Sequence, residues 1–412
     1  MNKDKTTTAL ELESEHVAPN YNPLPVVIRS GDGVWVEDVE GEKYLDALAG
    51  YSALNFGHSN CALLDAAKAQ LERLTMTSRA FYNDQLGPFA SELAELTGHE
   101  MVLPMNTGAE AVETAIKAAR KWGYRVKGVP TGQAQIIVAD SNFHGRTTTI
   151  VSFSDDRDAK DDFGPHTPGF VTVPFADLQA LKDAVTPDTV AVLIELVQGE
   201  AGVRIADKPY VQALRDFCSQ QDILLIVDEI QSGFGRTGET FASELYEIKP
   251  DLMLLGKALG GGVLPVSAVV GRSDVLGQLT AGTHGSTFGG NPLAAAVGRE
   301  VIQLMNTGEI QENARARGKQ LGECLGALQE QHPEVILGFS QVGLWAGIEF
   351  DPAVASGREV CELMMEHHVL VKDAHGSIVR LSPPLTITQS ELDVLCLALT
   401  ETAADLAKRR AT

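Results

Sequence analysis

Short, strongly apolar runs alternate with longer segments that have apolar residues on one helical face. Four of these runs have the length of a β-strand: QIIVAD (residues 135–140), TVAVLIEL (189–196), ILLIVDEI (223–230) and SAVVG (267–271). The intervening segment 213–221 would place Leu214, Phe217 and Cys218 on one side of a helix. Strands joined by amphipathic helices are typical of βαβ crossovers. The pattern therefore predicts an α/β chain with a mainly parallel central sheet.

The pattern of predicted elements changes near residue 290, where long helical segments begin. Short strands are predicted among them, around GLWAGIEF (343–350) and SIVRLSPP (377–384). Because 412 residues exceed what one compact core usually serves, we expect more than one domain. We predict a large domain over residues 61–290 and a smaller α+β domain over residues 291–412. The strand-like, turn-rich residues 1–60 are expected to pack on the smaller domain.

Charge, cysteine content and hydropathy exclude several classes of protein. A formal net charge of −22 argues against a nucleic-acid partner, because phosphate backbones are bound by clustered Lys and Arg. The five cysteines are far apart in sequence and form no CxxC, which predicts neither a disulfide framework nor a zinc site. The N-terminal sequence lacks the apolar core of a secretory signal, and no apolar run is long enough to cross a membrane. We expect a cytoplasmic protein with no metal, membrane or nucleic-acid partner.

Lys257 and Asp228 form the pattern most suggestive of chemistry. Lys257 stands in LLGKALGGG, between an apolar run and three glycines, and Asp228 ends the apolar run LLIVD. A lysine amine holds an aldehyde cofactor as an imine, and a carboxylate keeps the pyridine nitrogen of pyridoxal phosphate protonated. Ligands of open α/β sheets bind at the carboxyl ends of strands, where Asp228 would lie. The alternative is that Asp228 caps a turn and Lys257 is a solvated loop amine.

A phosphate site is predicted at the start of a helix. The segment MNTGAEAVETAIKAARKWGY (105–124) places Asn106, Thr107 and Gly108 directly before an amphipathic helix. Helix starts bind anions through free backbone N–H groups, and a glycine lets a ligand approach closely. The Thr107 hydroxyl could donate to the phosphate or only cap the helix, and the two are equally favoured. GKALGGG lacks the Ser or Thr and the upstream glycine of a nucleotide P-loop, which excludes that interpretation.

Together these segments resemble the class III aminotransferases, pyridoxal-phosphate enzymes of fold type I, and most closely the ornithine δ-aminotransferase branch. The resemblance runs from about Tyr21 to Leu395. It rests on motifs in the family's order: YSALNFGH, TSRAFYND, LPMNTGAEAVETAIKAARKWGY, NFHGRT, FGPHTPGF, QGEAGV, DEIQSGFGRTG, LLGKALGGG, HGSTFGGNPLA and HGSIVRLSPPL. It implies a large domain with a mainly parallel sheet and a smaller α+β domain. One departure is Leu196, where the family usually has proline after Glu195.

By position, the resemblance assigns a set of cofactor contacts. Lys257 would form the imine and Asp228 would pair with the ring nitrogen, and these two would be the catalytic residues. The remaining residues would contact the ring or the phosphate: Phe143 by stacking, Gln231 at the phenolic oxygen, His144 and Ile230 nearby, and Thr107, Gly108 and Ala109 at the phosphate.

The resemblance also implies a shared active site. Ser286 and Thr287 would reach the phosphate from the partner subunit of a homodimer or a higher homo-oligomer. For Phe143 the alternative role is an ordinary core aromatic, and for Thr287 it is a loop hydroxyl.

Five residues are assigned to the substrates. Guanidinium groups bind carboxylates bidentately. The resemblance implies that Arg146 holds the side-chain carboxylate of glutamate or 2-oxoglutarate and that Arg380 holds the α-carboxylate. Glu200 would neutralise Arg380 while an amine donor reacts through its terminal amino group, unless the two form a purely structural ion pair. Tyr51 and Tyr82 would hold the α-amino and α-carboxylate end of ornithine, unless they are half-buried core rings.

The activity implied is transfer of the δ-amino group of ornithine to 2-oxoglutarate. The products would be glutamate and glutamate semialdehyde, which should cyclise to pyrroline carboxylate, in proline synthesis or arginine breakdown. One alternative is another class III ω-aminotransferase that acts on acetylornithine, lysine or 4-aminobutyrate. A different alternative is a non-catalytic binding or regulatory protein that keeps the cofactor fold.

Overall fold

The computed structural model describes residues 4–374 and 376–410. The strands are β1 (Ile28–Asp32), β2 (Trp35–Asp38), β3 (Lys43–Asp46), β4 (Met101–Met105), β5 (Gln135–Ala139), β6 (Phe170–Val173), β7 (Thr189–Ile194), β8 (Val197–Gln198), β9 (Arg204–Ile205), β10 (Leu224–Asp228), β11 (Leu252–Leu255), β12 (Ser267–Gly271), β13 (Ile336–Val342), β14 (Trp345–Phe350), β15 (Val369–Leu370), β16 (Lys372–Asp373) and β17 (Ile378–Leu381).

Helices surround these strands and fill the carboxyl-terminal third of the chain. The α-helices are Lys5–His16, Cys61–Leu71, Leu86–Thr97, Gly108–Trp122, Thr148–Val151, Arg157–Lys160, Leu178–Ala184, Lys208–Gln220, Ala242–Leu245, Ser273–Leu276, Pro292–Asn306, Glu309–Gln331, Gly357–Glu366 and Gln389–Arg410. A π-helical turn covers Gly123–Lys127, and a 3-10 helix covers Lys257–Gly260. Over the residues described, no helix combines the length and apolarity needed to cross a membrane.

Seven strands form the large sheet, in the order β4-β12-β11-β10-β7-β5-β6. The pairings among β11, β10, β7, β5 and β6 are parallel, whereas β12 is antiparallel to both of its neighbours. The reason is the connection: residues 256–266 between β11 and β12 hold only a 3-10 turn, and a parallel return needs a longer crossover. The prediction of an α/β chain with a mainly parallel central sheet is confirmed.

The large sheet is covered on both faces. Side chains of β10 alternate between two cores, with Leu224 and Ile226 under helix Gly108–Trp122 and with Leu225 and Val227 under helix Lys208–Gln220. This alternation is the period of two that a strand imposes. Strands buried on both faces read as continuous apolar runs, which is why the sequence revealed them so clearly.

A second core joins the two ends of the chain. The antiparallel sheet β13-β14-β17-β16 packs with helices Glu309–Gln331 and Gln389–Arg410, and strand β3 pairs in parallel with β15. Val34 and Leu45 are buried in this same core. Helix Pro292–Asn306, by contrast, packs against the large sheet. The division at residues 60 and 290 stays a prediction.

Helix Lys5–His16 differs from the strand-like, turn-rich segment expected at the amino terminus. Its start is capped by Asp4, whose side chain accepts the backbone N–H of Thr7 at 2.6 Å. Glu40 accepts the N–H groups of Lys5 and Thr6. The helix has no buried residue, so it leaves no apolar periodicity in the sequence by which it could be recognised.

Candidate active site

A cavity of about 190 Å³ lies at the carboxyl ends of β7 and β10, beside the start of helix Gly108–Trp122. Its walls contain most of the residues predicted for the cofactor, together with several that were not predicted. The lining residues are Gly108, Ala109, Phe143, His144, Gly145, Glu195, Val197, Asp228, Ile230, Gln231, Ser232 and Lys257. Residues from distant parts of the sequence thus converge on one small space.

Lys257 lines the cavity one residue beyond Gly256, which follows the buried strand β11. Its φ of 45° is in the left-handed region that non-glycine residues rarely adopt, so its backbone is strained. Burial lowers the pKa of the amine to about 8, against the opposing influence of Glu200. Lys257 is therefore not a solvated loop amine, and much more of it is unprotonated near neutral pH than of an ordinary lysine.

Asp228 ends β10 and is held from two sides. Its Oδ2 lies 2.7 Å from Nδ1 of the buried His144, and its Oδ1 accepts the N–H of Ile230 at 3.0 Å. Asp228 therefore does cap a turn, as the alternative interpretation held. This role occupies only one of its two carboxylate oxygens. Burial alone would lower the pKa of His144, but the hydrogen bond to Asp228 and the negative charges of Asp228 and Glu195 together leave that pKa raised. The contact with His144 fixes the orientation of the Asp228 carboxyl group.

Glu195 is a buried cavity residue that the sequence analysis did not single out. It directly follows β7 and accepts the backbone N–H of Phe143 at 3.0 Å. Burial raises the pKa of Glu195 to about 8, so its carboxyl group is mostly protonated at neutral pH. The signal that could have revealed it is the one that revealed Asp228, namely an acid at the carboxyl end of an apolar strand.

Helix Gly108–Trp122 begins with a capping box at the cavity wall. Thr107 Oγ1 accepts the N–H of Glu110 at 3.2 Å, and Glu110 Oε2 accepts the N–H of Thr107 at 2.8 Å. Thr107 is therefore a helix cap, and its predicted contact with a phosphate stays a prediction. The first N–H groups of a helix have no intrahelical acceptor, so those of Gly108 and Ala109 are available to an anion. A Cβ on Gly108 would lie 3.1 Å from Ile230 Cδ1, so a larger residue would fit at this position only if Ile230 moved.

These groups match the chemistry of pyridoxal phosphate. The cavity offers a lysine amine for the aldehyde, a fixed carboxylate for the ring nitrogen and an aromatic side chain, Phe143, for the ring face. The helix start offers N–H donors for a phosphate. No three His, Cys, Asp or Glu side chains converge as metal ligands do within residues 4–374 and 376–410. These protein groups suit a ligand that is an organic phosphate with a carbonyl group.

Arg380 and Glu200 form a nearly buried ion pair at the edge of this site. Arg380 Nη1 donates to Glu200 Oε1 at 2.6 Å, and the guanidinium lies 5.0 Å from the ring centre of Tyr51. Burial would raise the pKa of Glu200, but Arg380 and Lys257 outweigh it and lower the pKa. Nη2 of Arg380 is buried and has no hydrogen-bond partner among the described residues. This free N–H group can donate a hydrogen bond to a substrate carboxylate.

Gln231 connects the cavity to this pair. Its Nε2 lies 3.3 Å from Glu200 Oε1 and 3.4 Å from the carbonyl oxygen of Tyr51. Arg146 lies over the ring of Phe143, 5.6 Å from its centre. Tyr51, Arg146, Glu200 and Arg380 thus surround one side of the predicted cofactor space.

Glu200 reaches Arg380 through a short hairpin. Leu196 is fully buried where the family usually has proline, and its carbonyl accepts the N–H of Ala206 at 3.1 Å. The chain then runs through β8, turns at Glu200 and returns as β9. The departure from proline therefore leaves a turn that still places Glu200 against Arg380.

Tyr51 lies in a left-handed turn formed by four consecutive residues. Ala49, Gly50, Tyr51 and Ser52 have φ values of 50°, 54°, 59° and 71°. Each non-glycine residue costs about 1–2 kcal/mol in this conformation. Such strain persists where the surrounding structure enforces it, and it clusters at functional sites.

Three predicted residues are not brought to the cavity by this chain. Tyr82 is fully exposed, and Thr287 is also exposed. Ser286 accepts a hydrogen bond from Nδ2 of Asn106 at 2.8 Å, next to the helix start but outside the cavity wall. The contacts predicted for Tyr82, Ser286 and Thr287 stay predictions.

A larger cavity of about 440 Å³ adjoins the first and shares Phe143 and His144 with it. Glu200 and Asp155 are among its other walls. The acidic segment DDRDAKDD (155–162) therefore begins beside this space. Asp155 has a structural task there, since it accepts the N–H of Ser141 at 2.9 Å.

Comparison with known proteins adds relatives along nearly the whole chain. Residues 16–402 match the family model for aminotransferase class-III. The ornithine aminotransferase of Bordetella pertussis is 50% identical over 394 residues, 95% of either chain. A solved ornithine aminotransferase from Toxoplasma gondii, described with partial occupancy of PLP at its active site, is 39% identical with a TM-score of 0.97, covering 99% of this chain and 96% of that one. A solved acetylornithine aminotransferase from Elizabethkingia anophelis is 38% identical with a TM-score of 0.89, covering 98% of this chain and 100% of that one.

Proposed function

Because the chain belongs to the class-III aminotransferases, enzymes of fold type I that depend on pyridoxal phosphate, we propose that it is an ornithine 5-aminotransferase. It moves the δ-amino group of ornithine to 2-oxoglutarate and gives glutamate and glutamate 5-semialdehyde, which cyclises to pyrroline-5-carboxylate. The observation that carries the proposal is the Arg380–Glu200 pair beside Tyr51, with its free guanidinium donor.

Lys257 and Asp228 are the proposed catalytic residues. When bound, pyridoxal phosphate supplies an aldehyde that condenses with amines and a protonated ring that draws electrons from the carbon losing a proton. Asp228, held in place by His144, would pair with that ring nitrogen. The Lys257 amine, with a pKa lowered to about 8 by burial, can accept a proton and return it near neutral pH. Such general acid–base assistance contributes about a hundred- to ten-thousand-fold in rate.

The proposed cofactor contacts follow from the cavity walls. Phe143 covers one face of the ring, and Glu195 fixes its backbone through the N–H it accepts. Gln231 is placed to donate to the phenolic oxygen, and Ile230 and His144 close the space around the ring. The helix start at Thr107, Gly108 and Ala109 takes the phosphate.

Glu200 adapts one site to two substrates. With ornithine, whose terminal amine reacts, no carboxylate lies next to Arg380, and Glu200 supplies the missing negative charge. With glutamate or 2-oxoglutarate, the α-carboxylate replaces Glu200 on Arg380, and Arg146 holds the distal carboxylate. Without Glu200, one half-reaction would leave a buried guanidinium uncompensated, which costs several kcal/mol, about 3–5.

Tyr51 is the proposed determinant of the donor within this chain. Its position in the strained turn, over which Arg380 lies, directs its ring toward the substrate side of the site. Tyr82 is proposed to act with it on the far end of ornithine. Since Tyr82 is fully exposed here, we propose that it acts in the cavity of the partner subunit.

We further propose a homodimer, or a higher homo-oligomer built from it, in the cytoplasm. Phe81, Tyr82 and Phe288 are large apolar side chains exposed on the surface, as expected of residues that a second copy covers. Ser286 and Thr287 lie next to Phe288 and would complete the partner's phosphate site. The activity would serve proline synthesis or arginine breakdown.

A panel of amine donors tests the proposal. The purified enzyme with 2-oxoglutarate is given ornithine, acetylornithine, lysine or 4-aminobutyrate, and glutamate formation is measured. We expect ornithine to give the highest kcat/KM, by about tenfold or more, which corresponds to roughly 1.4 kcal/mol of transition-state discrimination.

Two variants sharpen the panel. Tyr51→Ile should lower kcat/KM for ornithine while leaving the half-reaction with glutamate intact, and Tyr51→Phe should fall between this variant and the wild type. Equal or faster turnover of acetylornithine would support the neighbouring ω-aminotransferase activity instead. No glutamate from any donor would support a non-catalytic protein.

A further inference from the structure

Two cysteines that are far apart in sequence meet between two helices of the carboxyl-terminal part. Cys324 lies in helix Glu309–Gln331 and Cys396 in helix Gln389–Arg410. The two thiols lie close enough to interact with each other. Both residues are half-buried. The sequence predicted no pairing among the cysteines, and the fold supplies this one.

The register of the two helices places these thiols opposite each other. One turn earlier, Nε2 of Gln320 donates to Oδ1 of Asp393 at 2.7 Å and to the carbonyl of Gln389 at 3.3 Å. Cys324 is four residues beyond Gln320, and Cys396 is three residues beyond Asp393. Positions three and four residues apart share one helix face. The Gln320 hydrogen bonds and the thiol contact therefore describe the same alignment.

The core holds this alignment in place. Leu321 and Leu325 of the first helix and Leu395 and Leu399 of the second are all buried in one apolar core. The thiols therefore lie at the edge of a packed helix interface.

We propose that Cys324 and Cys396 form a reversible intramolecular disulfide when the enzyme meets a low-molecular-weight disulfide. The Cys324 thiolate attacks one sulfur of that reagent, breaks its S–S bond and releases one thiolate. Cys396 then loses its proton, attacks the sulfur of Cys324 and releases the second thiolate. The two protein thiols are oxidised to one disulfide, the reagent is reduced to two thiols, and the protons pass to those leaving groups.

The chemistry of the five cysteines favours this pair. The contact with Cys396 lowers the pKa of the Cys324 thiol and raises that of the Cys396 thiol. Cys324 is therefore the attacking thiolate, and Cys396 can lose its proton more readily once the sulfur of Cys324 is in the mixed disulfide and no longer carries a negative charge. Burial raises the pKa of Cys218 and of Cys361 to about 12, which keeps both protonated. Cys61 is exposed but belongs to a different helix, Cys61–Leu71, packed on the large sheet.

The bond would fasten the segment that follows Arg380. Asn313, on the same helix as Cys324, donates to the carbonyls of Leu385 and Ile387 at 2.7 and 2.9 Å. Helix Gln389–Arg410 begins just beyond them. Because a cross-link restricts the unfolded chain, the oxidised enzyme should resist heat inactivation. Neither cysteine lines the cavity, so turnover at moderate temperature should be unchanged.

The test uses the full-length holoenzyme in a Cys61→Ser background, which removes intermolecular coupling through the exposed thiol. After treatment with oxidised glutathione, free thiols are alkylated and the peptides are analysed by mass spectrometry. We expect a linked Cys324–Cys396 peptide about two mass units lighter than the sum of its reduced parts, because two hydrogens leave. The half-life at an inactivating temperature should lengthen severalfold and return to the reduced value after dithiothreitol.

Matched variants make the outcome decisive. Cys324→Ser and Cys396→Ser should each abolish the longer half-life, whereas Cys361→Ser should keep it. The proposal is overturned if both thiols stay fully alkylatable after oxidation, or if each carries glutathione without a link. It is equally overturned if the linked form is inactivated as fast as the reduced enzyme.

Discussion

At the scale of single residues, burial sets the protonation of the groups that matter. Lys257 and Glu195 face the same cavity, and burial brings the pKa of each to about 8 from opposite directions. The lysine becomes a weaker base and the glutamate a weaker acid. At neutral pH the glutamate is therefore mostly uncharged, and a larger share of this lysine is uncharged than of an ordinary lysine. Asp228 acts on a neighbour in turn, because its contact with the buried His144 is the main influence that raises the pKa of that histidine against the effect of burial.

The lowered pKa of Lys257 predicts how cofactor attachment depends on pH. Only the unprotonated amine condenses with an aldehyde. In the cofactor-free protein the initial rate of imine formation should therefore rise with pH and reach half its maximum at a pH of about 8. The measurement is stopped-flow absorbance of the imine after mixing with pyridoxal phosphate. Free lysine whose α-amino group is blocked provides the control, and its rate of imine formation should still be rising near pH 10. A protein profile that matches the free lysine would contradict the burial of this amine.

Sequence patterns located charged residues of the site and the Glu200–Arg380 pair, but not the other partnerships. Asp228, Glu200 and Arg380 stand in motifs that could be recognised. The partnership of Asp228 with His144 and of Glu195 with the Phe143 backbone joins residues about fifty or more positions apart, and only the folded chain brings them together. Arg236 was missed for the same reason: it is fully buried and donates to the carbonyls of Leu344 and Pro383, which no local pattern indicates.

At the scale of elements, the start of helix Gly108–Trp122 combines a structural and a binding role. Thr107 makes a capping box with Glu110, and an equivalent box of Ser356 with Glu359 starts helix Gly357–Glu366. Gly108, directly after Thr107, lines the cavity, whereas neither Ser356 nor Gly357 does. The chain therefore contains its own control for separating a helix cap from a phosphate ligand.

Replacing each cap with alanine separates the two roles. Thr107→Ala and Ser356→Ala should each lower the free energy of unfolding by about 0.5–2 kcal/mol, as measured by urea denaturation. Only Thr107→Ala should also weaken pyridoxal phosphate binding, by about tenfold or more, since a hydrogen bond to a charged group contributes about 1.5–3 kcal/mol. If both variants bind the cofactor with equal affinity, Thr107 only caps the helix and does not bind the phosphate.

The π-helical turn that follows this helix packs closely on the large sheet at a glycine. A Cβ at Gly123 would lie 2.2 Å from Cγ1 of Val190 in β7, so Gly123→Ala should destabilise the protein by about 1–3 kcal/mol through overpacking. Gly326, inside helix Glu309–Gln331, has open space around its Cα, and Gly326→Ala should stabilise by about 0.5–1 kcal/mol. Urea unfolding of both variants checks this. A Gly123→Ala protein as stable as the wild type would mean that the helix is less closely packed.

Elements were predictable where burial imposed a period on the sequence. The strands β5, β7 and β10 are continuous apolar runs because both faces are covered, and helix Lys208–Gln220 has a clear apolar side. Direction was less predictable: the run Ser267–Gly271 was recognised as a strand, but its antiparallel pairing follows from a short connection. Helix Lys5–His16 could not be predicted because it buries nothing.

At the scale of the whole molecule, one chain does not complete the predicted site. Tyr82 and Thr287 are exposed, and Phe288 beside them is 59% exposed. The motifs predicted these residues as ligands, but a pattern in one chain does not say which copy they serve. In the proposed homodimer these residues would serve the cavity of the partner copy.

A mixing experiment tests whether the active sites are shared. Lys257→Ala and Tyr82→Ala are each expected to lose most of their activity on ornithine, and the two are unfolded together and refolded as mixed dimers. If Tyr82 serves the partner's cavity, each mixed dimer has one complete site and activity returns. No recovery, with mixed dimers demonstrated by native mass spectrometry, would place Tyr82 in the cavity of its own chain.

The central claim is that the amine of Lys257 holds pyridoxal phosphate in the cavity that Asp228 and Phe143 help to form. Its most direct test is reduction of the active enzyme with borohydride, followed by peptide mass spectrometry. We predict a single phosphopyridoxyl group, on the peptide that contains Lys257, and none in Lys257→Arg. Labelling of another lysine in the active enzyme, or active enzyme with Lys257 unmodified, would contradict the account.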